Sequence, residues 1–231
     1  KNEKTPSFTV NDEKGFFHCF STYENGNIFD FLMKTQNLKI GEAVKTLALK
    51  AGMRPYTFSK ADEQREKELK DYTILYSEYV NFYHSELLNN PENKNSLDYL
   101  KNRKLTFETI KNFKLGYVKK NSNIFEHLKK NFNEKILKEC GIFYFDEKKN
   151  IFVDRFRDRI IFPINSISGS PIAIGGRIMQ KNSFFAKYIN SPETQFFKKG
   201  NNLYNIDRAR KLSNKINQIF LVEGYMDVIS L

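Results

Sequence analysis

The stretch over residues 152–200 limits the possible folds more than any other part of the chain. Its short apolar runs have the composition of β-strands, and basic residues and glycines interrupt them. Residues 160–164 form a continuous apolar run, residues 168–171 form a turn cluster, and residues 172–174 resume the apolar pattern. This order predicts two sequential strands joined by a short turn.

Three arginines alternate with other residues immediately before the first apolar run. Arg155, Arg157 and Arg159 are spaced by two, so on a strand they would lie on one face about 6.6 Å apart. An extended nucleic-acid strand has a similar phosphate repeat, and guanidinium groups bind phosphate oxygens through two donors at once. The spacing therefore favours contact between these arginines and a nucleic-acid backbone. The alternative is a solvated sheet on which the arginines pair with neighbouring acids. Those acids are Asp154, Asp158 and Glu193.

Two adjacent glycines and a group of polar residues follow the turn. Gly175 and Gly176 predict either a β-bulge or the close approach of a ligand to the backbone. Lys187, Tyr188 and Asn190 then lie on another short extended segment. Basic and polar side chains therefore continue beyond the predicted strand pair.

A short apolar run near the end of the chain stops at an acidic residue. Residues 219–222 predict a buried strand of the parallel type, and Glu223 stands at its C-terminal end, where α/β sheets place functional groups. Gly224 permits a sharp turn, and Asp227 follows Glu223 by four residues. We therefore expect Asp227 one turn into the next helix, on the side that faces Glu223.

Two carboxylates at a strand end suit metal-dependent phosphoryl transfer. Mg²⁺ prefers carboxylates, water and substrate phosphates as ligands. Two metal ions can stabilise both the attacking 3′-oxygen and the leaving pyrophosphate of an in-line displacement, while basic residues neutralise the triphosphate. The alternative for Glu223 taken alone is a strand-end carboxylate without chemistry.

Five sequence blocks together resemble one protein family. The blocks DRFRDRIIFPI, IAIGGR, KYINSPET, KKG and VEGYMDV have the order and spacing of the polymerase core of the bacterial replicative primases, the DnaG family. The resemblance extends over nearly the whole chain, including PSF and HCF near its start. It implies template-directed synthesis of short RNA primers on single-stranded DNA from ribonucleoside triphosphates, with Mg²⁺ or Mn²⁺ as the catalytic metal.

The resemblance implies roles for the acidic motif. EGYMD is similar to the first acidic motif of the Toprim fold, in which Glu223 takes the place of the catalytic glutamate, a metal ligand or general base. Asp227 is expected to support the same acidic site. The family's further Asp-x-Asp pairs would lie beyond Leu231, so we expect the chain to be a fragment, cut at both ends, that does not complete its metal site.

The resemblance also implies a binding groove beside the acidic centre. The arginines are expected to hold template or triphosphate, and Lys187 and Lys199 to contact phosphates. Arg103 lies in YLKNRKLTFETIKNFKLGY, which resembles the segment that opens the outer subdomain of the core, and is predicted as a further contact. The predicted nucleic-acid or nucleotide-binding residues are Arg103, Arg155, Arg157, Arg177, Lys187, Tyr188, Asn190 and Lys199.

Residues 1–53 resemble the zinc-ribbon domain of the same family, in which four Cys and His ligands hold a structural zinc. Here the family's histidine falls on Lys1, the first of the later cysteines is Cys19 and the last falls on Thr22, while the remaining cysteine would precede the chain. We therefore expect Cys19 to be a vestigial ligand position, zinc binding to be lost, and the ribbon to be held by aromatic packing. The residues predicted to pack are Phe8, Phe16, Phe17, Phe20 and Phe29.

Four segments are predicted, in an α+β or mixed α/β fold. Residues 1–53 form the ribbon-like module, truncated at its N-terminus, and residues 54–91 a helical connector. Residues 92–213 form the N-terminal subdomain of the primase catalytic core, and residues 214–231 the truncated beginning of a Toprim domain. In the connector, apolar residues that recur at three and four predict a long helix with a tyrosine stripe, which either packs in a core or stacks on bases.

Composition limits the partners and the compartment. The net charge of +11, from 38 Lys and Arg against 27 Asp and Glu, indicates a polyanionic partner, although an AT-rich genome explains part of the lysine excess. Cys19 and Cys140 lie in unrelated contexts and predict no disulfide, which favours a reducing cytoplasm. No apolar run approaches the ~20 residues of a membrane span, and no signal peptide is visible, so no membrane partner is expected.

The predicted partners follow from the family. They are the single-stranded DNA template, ribonucleoside triphosphates, the RNA primer–DNA hybrid, and a replicative helicase contacted through a C-terminal region outside this chain. One alternative is a primase-helicase of the phage or organellar type on the same core, which a P-loop motif after Leu231 would support. The other is a non-catalytic single-stranded-DNA-binding relative with a degenerate ribbon, which missing downstream aspartates would favour.

Overall fold

The computed structural model describes residues 6–53, 59–122, 124–180, 184–213 and 218–231. The chain divides into two compact units, Lys1–Glu63 and Gln64–Leu231. This division into two units does not test the boundaries of the four predicted segments, which stay predictions. Among the described helices, none has the length and apolar character needed to span a membrane.

The first unit contains a three-stranded antiparallel sheet followed by two helices. The strands β1 (Phe8–Asn11), β2 (Phe16–Cys19) and β3 (Asn25–Gly26) pair in the order β1-β2-β3, and the helices are α1 (Ile28–Gln36) and α2 (Ile40–Lys50). The Asn27 side chain caps α1 by accepting from the amides of Phe29 and Asp30, and the Asp30 carboxylate accepts from the Asn27 amide.

Aromatic side chains form the core of this unit. Phe17 is buried and stacks on Phe8 with ring centroids 5.6 Å apart, and Phe31 meets Phe17 edge-on at 5.5 Å. Phe8 and Phe17 stack on one another as predicted, although Phe8 is 43% exposed, whereas Phe16 and Phe20 are exposed outside this stack. Successive residues of a strand face opposite sides, so Phe16 and Phe17 cannot both enter the core, and Phe31 of α1 completes the cluster instead.

The second unit is organised around a four-stranded antiparallel sheet, and the long helix α3 (Lys60–Asn89) leads into it. In chain order, the other elements are α4 (Lys94–Asn102), α5 (Phe107–Asn112), β4 (Gly116–Val118), α6 (Phe125–Leu128), α7 (Glu134–Glu139), β5 (Phe143–Asp146), β6 (Ile151–Asp154), β7 (Arg159–Asn165), β8 (Pro171–Ile178), β9 (Tyr188–Asn190), α8 (Ile206–Ser213) and α9 (Tyr225–Ser230). The main sheet has the order β4-β7-β8-β9, and β5 pairs with β6 in a separate hairpin. The predicted strand pair is confirmed as β7 and β8.

The tyrosine stripe of α3 lies in the core of this unit. Tyr72, Tyr76, Tyr79 and Tyr83 are all buried on one face of the helix. Buried tyrosine hydroxyls need hydrogen-bond partners, and that of Tyr72, for example, donates to the carbonyl of Ile172 at 3.0 Å. The packing interpretation of the stripe is therefore confirmed, and base stacking by these four rings is wrong.

The paired glycines lie within regular strand β8, so the predicted bulge is wrong at this position. A Cβ on Gly175 would lie 2.5 Å from the ring of Tyr225, and one on Gly176 would lie 2.5 Å from the ring of Phe156. The predicted close approach exists, but the approaching groups are the protein's own aromatic rings rather than a ligand. The irregularity in register falls instead at the far end of β7.

The apolar run at residues 219–222 forms no strand. Ile219, Phe220 and Leu221 are 69%, 73% and 82% exposed. A strand needs a neighbour that satisfies its backbone hydrogen bonds, and no strand of the described residues pairs with this run. The prediction of a buried parallel strand is therefore wrong, whereas the helix predicted to follow it is present as α9.

Candidate active site and nucleic-acid interface

Six of the predicted site residues line one cleft of about 610 Å³ in the second unit. They come from the end of α4, strand β9, the segment before α8 and the segment that leads into α9. The six residues are Arg103, Tyr188, Asn190, Lys199, Glu223 and Asp227. Two carboxylates and two cations that lie far apart in the chain therefore face the same space.

The start of α9 brings Glu223 and Asp227 together. Gly224 is the N-cap of this helix, and Asp227 lies in its first turn. A Cβ on Gly224 would lie 2.6 Å from Oδ2 of Asp227, so the carboxylate occupies the space that a side chain would fill. Both acidic residues are exposed and line the cleft. Their oxygens are ligands of the type that Mg²⁺ prefers.

Tyr225 anchors this acidic segment to the sheet. Its hydroxyl donates to Oδ1 of Asn190 at 2.6 Å, and its ring stacks on Phe162 with centroids 5.2 Å apart and lies against Gly175. Burial raises the pKa of Tyr225 to about 12, so the hydroxyl remains a donor at neutral pH. The sequence pattern did not identify Tyr225, although its position between the two predicted carboxylates is a signal that could have.

Arg177 lies between two tyrosine rings beside the cleft. Its guanidinium carbon is 4.4 Å from the ring centroid of Tyr99 and 6.0 Å from that of Tyr188. Burial raises the pKa of Tyr188, and the positive charge of Arg177 opposes that rise. Tyr99 was not identified from the sequence, yet it lies in the last turn of α4, four residues before the C-cap residue Arg103.

Arg155 and Arg157 are not among the residues that line the cleft, because they lie in the turn between β6 and β7. Nε of Arg155 donates to the carbonyl of Gly141 at 3.1 Å, and Nη2 of Arg157 donates to the hydroxyl of Tyr144 at 2.7 Å. Their guanidinium carbons lie 5.7 and 5.9 Å from the ring centroid of Tyr144, which is 37% exposed. We call Arg155, Arg157 and Tyr144 the arginine–tyrosine cluster. No sequence pattern pointed to Tyr144, which another strand supplies.

Arg159 does not continue the row that its spacing predicts. Strand β6 ends at Asp154 and β7 begins at Arg159, so the three arginines share no strand face, and that prediction is wrong. Arg159 is 5% exposed, and its Nη1 donates to the carbonyls of Ala186 at 3.0 Å and Lys187 at 3.3 Å. Arg159 therefore holds the backbone of the segment directly before β9 against the sheet, and the side chain of Lys187 in that segment is exposed.

The acids of the alternative interpretation do not hydrogen-bond to these arginines in the described structure. Asp158 accepts from the hydroxyl of Tyr117 at 2.8 Å, and Glu193 pairs with Lys198 at 3.6 Å. Asp154 is 3% exposed and accepts from tyrosine hydroxyls and a backbone amide. Burial raises the pKa of Asp154 to about 6 in spite of these hydrogen bonds.

The ionisation of Asp154 should make the stability of this unit depend on pH. The pKa of Asp154 is about 6 in the folded protein and 3.8 for an unburied aspartate, so the folded state holds the proton more tightly. From this group alone, the free energy of unfolding should fall by about 2 kcal/mol as the pH rises from about 4 to about 7. Urea unfolding of wild type and Asp154→Asn at both pH values checks this, because the difference between the two proteins should change by that amount. An unchanged difference would contradict a buried, titrating Asp154.

The predicted vestigial zinc position, Cys19, lies in the described part of the ribbon. No group of three or more His, Cys, Asp or Glu in the described ranges could hold a metal ion. The thiol of Cys19 lies 3.2 Å from Oγ of Ser21, and hydrogen bonds from Ser21 and Thr22 lower its pKa to about 6. His18 packs edge-on against a phenylalanine ring at 4.4 Å. Lys1, at the position of the family's histidine, lies outside the described residues.

Two protein-family models match the chain. The model of the DNA primase catalytic core, N-terminal domain, matches residues 82–210, which is more than half of the chain. The chain belongs to the DnaG family of bacterial DNA primases. The model of the CHC2 zinc finger matches residues 1–64. Family membership confirms the resemblance carried by the five sequence blocks, and the second match confirms that the first residues resemble the zinc ribbon of DnaG primases.

Curated DnaG-type primases are similar along nearly the whole chain. The DNA primase of Pseudomonas putida is 38% identical over 233 residues, which cover 99% of this chain and 35% of that protein. The DNA primase of Salmonella typhimurium is 36% identical over 233 residues, which cover 100% of this chain and 40% of that protein. The chain therefore spans between 35% and 40% of the length of these two primases.

Solved primase structures share the fold. The crystal structure of the zinc-binding and RNA polymerase domains of the Aquifex aeolicus primase matches with a TM-score of 0.62 at 28% identity, covering 99% of this chain and 54% of that chain. A DnaG primase catalytic domain bound to single-stranded DNA matches with a TM-score of 0.64 at 31% identity, covering 71% of this chain and 51% of that chain. These matches confirm the predicted mixed α and β class for a DnaG primase.

Proposed function

We propose that the protein synthesises short RNA primers on a single-stranded DNA template from ribonucleoside triphosphates. The observation that carries the proposal is the cleft in which Glu223 and Asp227 lie with Arg103 and Lys199. Carboxylates and cations in one cleft suit nucleotidyl transfer, because carboxylates bind the metal ion and cations bind the phosphates. The related DnaG catalytic domain solved with single-stranded DNA supports the same template for this chain.

Glu223 and Asp227 are the residues that would hold Mg²⁺ or Mn²⁺. Both line the cleft, and the Asp227 carboxylate rests against Gly224, where no side chain competes for the space. When bound, the metal ion stabilises the negative charge of the triphosphate and of the reacting oxygens. Tyr225 holds the segment between the two carboxylates against β9 through Asn190, so the acidic groups are positioned before a substrate arrives.

The cations of the cleft are the proposed contacts for the triphosphate. Arg103 and Lys199 line the same space as the carboxylates, and their positive charges would neutralise the phosphates as charge moves to the leaving group. Tyr188 also lines the cleft, and Arg177 lies over its ring. Lys187 remains a proposed phosphate contact, supported by its exposed side chain in the segment directly before β9.

The arginine–tyrosine cluster is the proposed contact for the DNA strand. Its two guanidinium groups can bind phosphate oxygens, and the exposed ring of Tyr144 can stack on a base. Cations beside an aromatic ring are typical of surfaces that bind single-stranded nucleic acid without sequence preference. The RNA primer–DNA hybrid and a replicative helicase remain proposed partners of the full-length protein.

Ribonucleotide incorporation by the full-length protein on single-stranded DNA with Mg²⁺ tests the proposed activity. Short RNA products that depend on the DNA template are the expected result. Intact DNA binding without any product would instead support the non-catalytic binding protein.

Replacing Arg155 and Arg157 together by alanine should weaken single-stranded DNA binding and its dependence on salt. Each phosphate contact on a single strand contributes about 0.7 to the slope of log affinity against log salt, so the double variant should lose about 1.4. Fluorescence anisotropy of a labelled oligonucleotide over a salt series measures the slope. Lys148→Ala with Lys149→Ala is the matched control, because these exposed lysines lie in the turn of the neighbouring β5–β6 hairpin. An unchanged slope in the arginine variant would show that the cluster does not contact the DNA backbone.

We also propose that the ribbon folds without zinc. Support comes from Lys1 and Thr22 at two positions where the family's ligands fall, and from the aromatic core of Phe8, Phe17 and Phe31. Metal analysis of the full-length protein should find far less than stoichiometric zinc, and a chelator should leave the circular dichroism spectrum unchanged. Stoichiometric zinc, or loss of structure in the chelator, would contradict this.

A further inference from the structure

A buried carboxylate lies directly before the turn between β6 and β7. Asp154 is the last residue of β6 and is 3% exposed. Both of its oxygens lie 3.0 Å from the hydroxyl of Tyr79, and its Oδ2 accepts from the hydroxyl of Tyr83 at 3.1 Å. Its Oδ1 also accepts from the backbone amide of Phe156 at 2.8 Å. One side chain therefore joins helix α3 to the turn that carries Arg155.

The shape of the turn depends on this carboxylate. The Phe156 amide has its partner on Asp154, and the Phe156 ring is fully buried against Gly176. The amide of Arg155 donates to the carbonyl just before β5 at 2.9 Å, and that of Asp158 donates to the last carbonyl of β4 at 2.8 Å. Backbone hydrogen bonds thus hold one end of the turn to the residue before β5 and the other end to β4. Asp154 links the middle of the turn to α3.

Stability alone does not explain a carboxylate at this position. A buried charge loses its hydration, and the groups that donate to Asp154 are neutral phenols and an amide. Apolar side chains at this position and in place of both tyrosine hydroxyls would fill the same space without that cost. Asp154 accepts from two hydroxyls of α3 and from one amide of the turn. This set of hydrogen bonds is suited to fix a single backbone geometry for the turn.

We propose that Asp154, held by Tyr79 and Tyr83, is a positioning residue that keeps the turn in the form in which Arg155 and Arg157 contact the DNA strand. This inference rests on the proposed DNA-binding role of the arginine–tyrosine cluster. Tyr79 and Tyr83 are buried and do not contact the template themselves. They influence DNA binding indirectly, because their hydroxyls donate to the Asp154 carboxylate that holds the turn.

Asp154→Asn tests the proposal, because the amide keeps the size of the side chain and one acceptor oxygen. We expect its affinity for a single-stranded oligonucleotide to fall about tenfold, and its salt slope to fall by about 0.7, although both arginines are present. Added to the Arg155→Ala, Arg157→Ala variant, the same change should lower the affinity no further. Asp207→Asn is the matched control, since this acid is also buried, at 5% exposure, and accepts from Asn165 at 3.2 Å.

The outcomes separate this inference from the proposed function. If the arginine variant lowers the slope and Asp154→Asn does not, the positioning role is wrong and the DNA contact stands. If the arginine variant itself leaves the slope unchanged, the DNA contact is wrong and the inference falls with it. An effect of Asp154→Asn that adds fully to the arginine variant, or an equal effect of Asp207→Asn, would also overturn the positioning role.

A second variant covers the case in which Asp154→Asn does not fold. Tyr79→Phe with Tyr83→Phe removes the hydroxyl donors from α3 and keeps both rings in the core. This pair should lower the salt slope in the same direction, with urea unfolding used to confirm that the variant is folded under the binding conditions. A wild-type slope in the folded tyrosine pair would overturn the proposal.

Discussion

Glu223→Gln should abolish primer synthesis while single-stranded DNA binding stays at the wild-type level. Glutamine has the size of glutamate but lacks the negative charge that makes a carboxylate a strong ligand for Mg²⁺. Losing a metal ligand removes several kcal/mol of transition-state stabilisation, so the rate should fall by about a thousandfold or more. Incorporation of labelled ribonucleotides into short products on a DNA template, resolved on a denaturing gel, measures the rate.

A matched control separates this effect from a change in net charge. Glu147→Gln removes the same charge from an exposed turn of the β5–β6 hairpin and should leave primer synthesis unchanged. Anisotropy with a labelled oligonucleotide should give equal DNA affinities for both variants and the wild type. A Glu223→Gln protein that keeps synthesis within about tenfold of wild type would rule out Glu223 as a metal ligand.

Gly175→Ala should reduce both the stability of the second unit and primer synthesis. The added Cβ would lie 2.5 Å from the Tyr225 ring, which is packed between Gly175 and Phe162 and cannot swing freely. Such overpacking costs about 1–3 kcal/mol of unfolding free energy, measured by urea denaturation. Displacing the ring also breaks its hydrogen bond to Asn190 and moves the segment that carries Glu223, and a shift of about 1 Å can cost about a hundredfold in rate.

Two controls define the cause of that loss. Gly41→Ala adds the same methyl group within α2, where a Cβ would meet nothing within 4 Å, so it should leave synthesis unchanged and should not lower stability, since alanine favours a helix. Tyr225→Phe keeps the ring and removes only the hydroxyl, so it should cost about 1 kcal/mol of stability. A Gly175→Ala protein with normal stability and synthesis would show that the Tyr225 ring does not position the acidic segment.

The local elements of the fold could be predicted from the sequence because short-range forces specify them. The strand pair β7 and β8, the long helix α3 and the hairpin β1–β2 each follow from periodicity and turn residues close together in the chain. The run at residues 219–222 has an equally good strand pattern and forms no strand, because strand formation requires a paired neighbour. A pattern therefore predicts the capacity for a strand, and the surroundings decide whether one forms.

The candidate site was predicted in part, through the order of five motif blocks. Those blocks contain five of the six residues that line one cleft, Arg103 comes from a further family-like segment, and the spacing of Glu223 and Asp227 predicted that both lie at the start of a helix. The tyrosines beside the arginines were not predicted, because Tyr99 and Tyr144 belong to elements distant in the chain from their partners Arg177 and Arg157. Only the folded chain brings these rings and cations together.

The sequence by itself determined the family, through the order of its motif blocks. It also determined α3 and the strand pair β7 and β8, because periodicity and turn residues lie close together in the chain. The tertiary structure decided which basic residues lie together: Arg155 and Arg157 are half-buried beside Tyr144, while Arg159 is buried among backbone carbonyls. It also decided the environment of Asp154, whose partner Tyr79 lies 75 residues away in the chain. Burial, and with it pKa and hydrogen bonding, is set by packing between distant elements, and no local pattern encodes that packing.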